Sequence, residues 1–422
     1  MKRLMQSKMP ITSVAKVISG YAFKSSEFSD QGVPVIKIKN IRTGNIDFSD
    51  TDYVSDQYLS LDSKYHVRSE DILISLTGSH VNQPNSVVGR VARYPRGLGI
   101  ALLNQRAGKV IIRDPDRCDK SFLYYHLFDE RTRREIAALA HGAANQANIS
   151  PSQIESIKIN LPSHANQKKI GVVLSAYDDL IENNLRRIKI LEETAQTLYR
   201  EWFVKFRFPG HQKVKMVNSP LGKIPGGWEI KNLFELAEVT YGFPFKSSLF
   251  NVNREGKPVV RIRDVLDGQS ATFTTEDALD KYIVEDGDFL VGMDGDFHMG
   301  FWAGGTAFLV QRVARFRPRR EVGRYGLALA LKGPIEHFNK TITGTTVAHL
   351  GDNHLRTINM MMPDKKLLKV INDILDPLLD LQLNIRAKNK NLRQTRDLLL
   401  PKLISGEVDV SELDITIPEA NA

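Results

Sequence analysis

Two short phrases, Lys24-Ser25-Ser26 and Lys246-Ser247-Ser248, join a cation to small hydroxyls, a combination that suits phosphate oxygens. The same residues would equally form a turn stabilised by serine hydroxyls. Lys37, Lys39, Asn40 and Arg42 alternate with Ile36 and Ile38, and Arg261, Arg263 and Asp264 follow the same rhythm around Val260 and Ile262. On a strand this spacing gathers cations on one face, either toward a polyanion or toward water. The repeated Lys/Arg identity, with no balancing acids along that face in the first set, favours the polyanion. Two loops, 79–86 and 294–298, carry Ser79, His80, Asn82, Gln83 and Asn85 in one case and Asp294, Asp296 and His298 in the other. A last group comprises Gln105, Arg106, Gln311, Arg312 and Arg315, with a buried salt bridge as the alternative role for Arg106 or Arg312.

Chemistry of the bond-breaking kind finds little support. The chain has no Asn-Pro-Pro-Tyr or Asp-Pro-Pro-Tyr, no phosphate-cradling glycine loop before Lys-Ser/Thr, and no HExxH or paired-cysteine spacing. Glu255-Gly256-Lys257 has a nuclease-like Glu-x-Lys form but no evident partner acid. Asp294, Asp296 and His298 could suggest a metal, yet Thr77, Ser79 and His80 stand at the matching places and are poor ligands as a set. Cys118 and His126 lack the frame of a thiol nucleophile. The expectation is a protein that performs no catalysis and binds no metal.

These residues recur because the chain is duplicated. Gly20-Tyr21-Ala22-Phe23-Lys24-Ser25-Ser26 returns as Gly242-Phe243-Pro244-Phe245-Lys246-Ser247-Ser248, 222 residues on. Pro34–Ile41 matches Pro258–Val265 at 224, Asp71-Ile72-Leu73 matches Asp288-Phe289-Leu290 at 217, and Gln105-Arg106 matches Gln311-Arg312 at 206. Gly142 through Pro162 matches Gly344 through Pro363, with Ile149, Ile154 and Ile157 at 201 from Leu350, Leu355 and Ile358. The shrinking offset gives the first copy about 21 extra residues in its middle, as variable loops on a shared scaffold would. Residues 11–160 and 230–362 read as short β-rich stretches, among them Val33–Ile38, Asp71–Leu76 and Lys109–Ile112 in one copy and Val259–Ile262, Phe289–Val291 and Val313–Phe316 in the other. A helical turn is expected over Ser121–Leu139.

After each copy the pattern changes. Ile170, Leu174, Tyr177, Ile181, Asn184, Ile188, Leu191, Ala195, Leu198 and Trp202 alternate spacings of four and three, the seam of a coiled coil. The second seam runs Ile371, Leu375, Leu378, Gln382, Ile385, Asn389, Leu392, Arg396, Leu399 and Leu403, with polar layers at Gln382, Asn389 and Arg396. Tyr177, Leu191, Leu198, Leu378, Leu392 and Leu399 are assigned to the coiled-coil core. Each helix would be roughly 55–60 Å long at 1.5 Å per residue. The Pro/Gly-rich stretch between the copies reads as a linker.

The net charge is +9, and the last sixteen residues hold five acids and no Lys or Arg, leaving +14 on the remainder. Such an excess favours a polyanionic partner. A single cysteine excludes an internal disulfide and, with no apolar h-region after Met1-Lys2-Arg3, points to the cytoplasm. No apolar run approaches the ~18 residues of a membrane span.

Four phrases in order then carry a resemblance: the Gly-Tyr-Ala-Phe-Lys-Ser-Ser motif, Glu201-Trp202-Phe203 with Phe208-Pro209-Gly210, Ile224-Pro225-Gly226-Gly227-Trp228, and Leu398 through Glu407. Together they resemble the DNA-specificity subunit of type I restriction–modification systems, over almost the whole chain. The resemblance implies an α+β fold with two tandem β-rich target-recognition domains, separated by two long antiparallel coiled-coil helices in a pseudo-two-fold arrangement. Its boundaries would be 1–162 for the first domain, 163–205 for the first helix, 206–228 for the linker, 229–363 for the second domain, 364–406 for the second helix and 407–422 for an acidic tail.

The resemblance also implies that each domain reads one half of a bipartite, asymmetric site on double-stranded DNA. Two DNA methyltransferase subunits, carrying S-adenosylmethionine, would dock on this chain, and motor–nuclease subunits would join them for cleavage. The chain itself would bind no cofactor. In that setting the loops at 79–86 and 294–298 become candidates for reading base edges, since Asn and Gln pair with adenine, Asp with cytosine and Arg with guanine. Two readings from other classes stay open: a self-contained nuclease or methyltransferase, and a coiled-coil scaffold that does not read DNA.

Overall fold

The computed structural model describes residues 8–79, 88–143, 146–319, 321–342 and 348–417. The chain divides into two compact units, residues 1–180 with 392–422, and residues 181–391. The boundary falls inside both long helices, so each unit holds one β-rich module and a segment of each helix.

In the first unit a four-stranded antiparallel sheet runs in the order Ala15–Ser19, Ala107–Ile112, Ile72–Ser75, Val91–Arg93. A five-stranded sheet follows the order Phe28–Ser29, Asp52–Val54, Val33–Ile36, Ala101–Leu103, His66–Val67, with one parallel pairing between Val33–Ile36 and Ala101–Leu103. The second unit repeats both orders. Its sheets are Ala237–Tyr241, Val313–Pro318, Phe289–Gly292, Met299–Phe301, and Phe250–Asn251, Phe273–Thr274, Lys257–Val260, Ala307–Leu309, Ile283–Val284. The parallel pairing recurs between Lys257–Val260 and Ala307–Leu309. The repeat in sequence is therefore a repeat in topology.

The repeated glycine phrase has a packing cause. Gly20 N donates to Ala107 O at 3.1 Å and Tyr21 N to Leu103 O at 2.7 Å; Gly242 N donates to Val313 O at 3.1 Å and Phe243 N to Leu309 O at 2.9 Å. A Cβ on Gly20 would lie 2.2 Å from Leu103 O, and one on Gly242 2.1 Å from Val310 O. Only glycine lets the backbone cross this closely. Phe23 and Phe245 then bury their rings just beyond the crossing.

The helix expected over Ser121–Leu139 is two helices, Lys120–Phe128 and Glu130–Ala138. Asp129 sits between them in an extended conformation, and its carboxylate accepts from Arg131 N as the cap of the second. The first of the pair is buried along its length and anchors the unit's core with Ile170, Leu174, Leu403 and Ile404 from the long helices.

The long helices span His164–Tyr199, continued by a π-helical turn to Val204, and Lys365–Ser405. Within the first unit Ile170 and Leu174 share a core with Leu400 and Leu403, and Asp178 pairs with Arg396. Within the second, Asn184 Nδ2 donates to Asn389 Oδ1 at 2.8 Å, Glu192 pairs with Arg386 at 3.1 Å, and Ala195 shares a core with Ile371 and Leu375. The pairing is antiparallel in each unit. Burial is centred on one heptad position: Leu174, Ile181, Ile188, Ala195 and Trp202 are all buried. Tyr177, Leu191, Leu198, Leu378, Leu392 and Leu399, assigned to the core from spacing, are half-buried and flank the seam. The helices pack on their own modules as well as on each other, which shifts the buried stripe. Gln382 accordingly donates to Tyr325 Oη at 2.9 Å, and the Arg396 guanidinium lies over the Phe128 ring.

The expected acidic tail is partly docked. Val410 is buried in the first unit's core, and Lys169 Nζ donates to the carbonyls of Val410, Ser411 and Leu413 at 3.2, 2.8 and 2.9 Å.

Candidate nucleic-acid interface

The two Lys-Ser-Ser phrases form short exposed turns after the buried phenylalanine. A carboxylate rather than a serine hydroxyl closes each: Glu27 accepts from Lys24 N at 2.8 Å, and Glu276 accepts from Lys246 N at 2.8 Å. Lys24, Ser25, Ser26, Lys246, Ser247 and Ser248 thus stand on the surface on fixed backbone, available to a phosphate.

The alternating-face reading of Lys37–Arg42 and Arg261–Asp264 fails, because the strands end at Ile36 and Val260. The side chain at the next repeat position turns the chain. Asn40 Oδ1 accepts from Lys37 N at 2.9 Å, and Asp264 Oδ2 accepts from Arg261 N at 2.9 Å. Asn40 and Asp264 are 1% and 8% exposed, so both are corrected from DNA contacts to turn-formers. Asn40 also donates to Asp47 O and Asp50 O. Burial pushes the Asp264 carboxyl up to about 6, with Arg263 opposing it. The balancing acids absent from the first copy's own face arrive from a neighbouring strand and its approach. Lys37 pairs with Asp52 at 3.0 Å, and Lys39 with Asp50 at 2.7 Å and Asp52 at 2.9 Å. Arg42 pairs with Asp47 at 3.1 Å, and Arg261 donates to Thr272 Oγ1. Arg263 is the most exposed cation of this set, with 69% of its side chain accessible.

Arg315 is also corrected. It is 2% exposed, donates to Ile283 O and to Thr240 Oγ1, and lies on the middle of its sheet. Lys109, the matching residue at offset 206, donates to His66 O at 2.5 Å and approaches Asp71 at 3.7 Å. Asp288 stands where Asp71 does and binds Arg317 at 2.7 Å. Burial lowers the pKa of Lys109 and of Arg315. Each module thus ties its two sheets together through a buried cation, and neither cation is offered to DNA.

Gln105, Arg106, Gln311 and Arg312 occupy exposed turns with shared geometry: Gln105 N donates to Tyr21 O at 2.9 Å and Gln311 N to Phe243 O at 2.8 Å. From these turns a second shared lattice extends. Leu76 N donates to Arg106 O and Ile149 N to Leu76 O, both at 2.9 Å; Met293 N donates to Arg312 O and Leu350 N to Met293 O, both at 2.8 Å. Leu76, Ile149, Met293 and Leu350 are all buried. Strand alternation therefore turns their neighbours Thr77, Asn148, Asp294 and His349 to the other face. Thr77 Oγ1 donates to Asn148 Oδ1 at 2.8 Å, whereas His349 Nδ1 meets Asp294 Oδ1 at 2.6 Å and Arg312 Nε lies 3.3 Å from Asp294 Oδ2. Arg312 adopts a left-handed conformation with φ 76°, a departure worth noting at a non-glycine residue.

Asn148 and His349 were missed from sequence, although both lie in the segment that repeats at offset 201. Ser79 is half-buried, while Asp296 is exposed and His298 half-buried near the same edge. His80, Asn82, Gln83 and Asn85 lie outside the described residues. Cys118 is buried, which pushes its thiol up to about 12 and leaves it a poor nucleophile.

Residues 6–193 and 225–394 match the family model for the type I restriction modification DNA specificity domain. The specificity subunit of type I restriction enzyme MjaIX from Methanocaldococcus jannaschii is 27% identical over 310 residues, covering 69% of this chain and 70% of that protein. The EcoBI specificity subunit from Escherichia coli is 31% identical over 218 residues, or 50% of this chain and 46% of that protein. The crystal structure of a type I restriction–modification S subunit from M. genitalium aligns over 96% of this chain and 98% of that one, with TM-score 0.55 at 18% identity, a likeness of fold. The chain belongs to the type I restriction–modification DNA-specificity family, the non-catalytic recognition components of these systems. No helix among the described residues is long and apolar enough to cross a membrane.

Proposed function

We propose that the chain reads a bipartite, asymmetric site on double-stranded DNA, one half with each module, and directs methyltransferase subunits to it. The observation that carries this reading is the shared lattice at the two exposed edges. Identical backbone hydrogen bonds hold different polar side chains, Thr77 and Asn148 in one module and Asp294 and His349 in the other. A common scaffold that exposes Asn148 at one edge and His349 at the other, each held by a less accessible partner, Thr77 or Asp294, suits two different half-sites. Lys24, Lys246, Arg106 and Arg263 supply exposed cations for the backbone phosphates. S-adenosylmethionine would be carried by the methyltransferase, and motor–nuclease subunits would join the same assembly for cleavage.

A scaffold that does not read DNA makes a different prediction. Binding of the purified chain to duplex DNA, measured from about 50 to 200 mM salt, should weaken steeply, by on the order of tenfold per few phosphate contacts. An affinity unmoved by salt contradicts the reading.

A further inference from the structure

Resting on that reading, we propose that Thr77, Asn148 and Arg106 in the first module, and Asp294, His349 and Arg312 in the second, are equivalent specificity-determining triads for the two half-sites. Three observations lead there. The backbone frame is shared, fixed by two hydrogen bonds of 2.8–2.9 Å in each module, while only Arg312, and not Arg106, takes a left-handed φ. Strand pairing reinforces them, with Thr77 opposite Asn148 and Asp294 opposite His349. Asn148, His349, Arg106 and Arg312 are exposed, Asp294 is half-buried, and Thr77 is buried against Asn148.

The two triads offer different chemistry. In the first, buried Thr77 donates to the carboxamide oxygen of exposed Asn148, which leaves the amide hydrogens directed away as donors. In the second, the Asp294 carboxylate holds both the His349 ring and the Arg312 guanidinium, ordering two donor-bearing groups side by side. An arginine fork suits the guanine acceptors O6 and N7, whereas a carboxamide suits adenine. Asp294 acts here as a positioning residue: without it, a side chain as long as Arg312 would lose order before reaching a base. The left-handed backbone at Arg312 fits a side chain held at a set angle for contact.

The test exchanges the pairs between modules, which the shared backbone should accommodate. The full chain, assembled with its methyltransferase subunits, is assayed by sequencing methylated sites. Asp294→Thr with His349→Asn should alter or relax one base position in a single half-site, with discrimination there falling roughly tenfold to a hundredfold. The other half-site and the gap should stay as in the parent. Thr77→Asp with Asn148→His should do the same to the opposite half. If one exchange unfolds its module, the other still decides. Parental motifs with undiminished discrimination in a folded variant overturn the triads. A parent complex that methylates no two-part motif fails the underlying reading instead.

Discussion

Asp264 shows how one residue can stabilise a turn and still carry a cost. Its carboxylate closes the turn after Val260 by accepting from Arg261 N, as Asn40 does after Ile36. Burial raises its pKa to about 6, above the roughly 3.9 of an unfolded chain. The folded protein therefore binds this proton more tightly, so the associated stability is fully present below about pH 4 and lost as pH rises through about 6. Asp264→Asn keeps the accepting oxygen and removes the charge. It should stabilise the second unit by about 1–2 kcal/mol at pH 7.5, allowing for solvent screening, and flatten its stability between pH 4 and 6. Urea denaturation across that range checks it, and an unchanged profile contradicts it. The same residue shows what sequence could not convey. Alternation of Ile and Lys looks like a strand until a buried side chain three residues on is seen to bend it. Arg315 and Arg312 stand three apart in sequence, yet only the strand neighbours reveal which is buried.

Among the elements, the long helices were the most legible, because heptad spacing is a local property of the chain. Which heptad position lies deepest was not, since it depends on what else each helix touches. Arg396, a polar seam residue, illustrates this through its partner Asp178. In the first unit Asp178 accepts from Tyr125 Oη at 2.6 Å and pairs with Arg93 at 3.3 Å and with Arg396. Arg93 and Arg396 each keep 12% of the side chain exposed. Asp178→Ala would leave two largely buried guanidinium groups without their shared acid, although Arg93 keeps Glu70 at 3.2 Å and Arg396 keeps Asp397 at 2.8 Å. Because each arginine keeps one acid, a loss of about 2–3 kcal/mol in the first unit is expected, read by chemical denaturation. A loss below about 1 kcal/mol would mean that the network is solvated like a surface pair.

For the whole molecule, the duplication was visible from the Gly-x-x-Phe-Lys-Ser-Ser phrase onward and holds in sheet order, glycine crossing and buried cation alike. The proposed triads were only half legible. Arg106, Asp294 and Arg312 stand out by type, while Asn148 and His349 acquire meaning only when they lie opposite Thr77 and Asp294. We propose that the two long helices set the distance between the half-sites, which gives a geometric prediction. Adding one heptad to each long helix, after Asn184 and after Asn389, adds about 10.5 Å of helix and should lengthen the gap in the methylated site by about three base pairs. An unchanged gap would show that the helices do not set it.

The most direct measurement of the central claim is methylation-site sequencing of a complex in which residues 229–363 are replaced by the second module of a family member of different specificity. One half-site should change to that of the donor, while the other half keeps its sequence. A motif that changes in both halves, or in neither, contradicts the assignment of one half-site to each module.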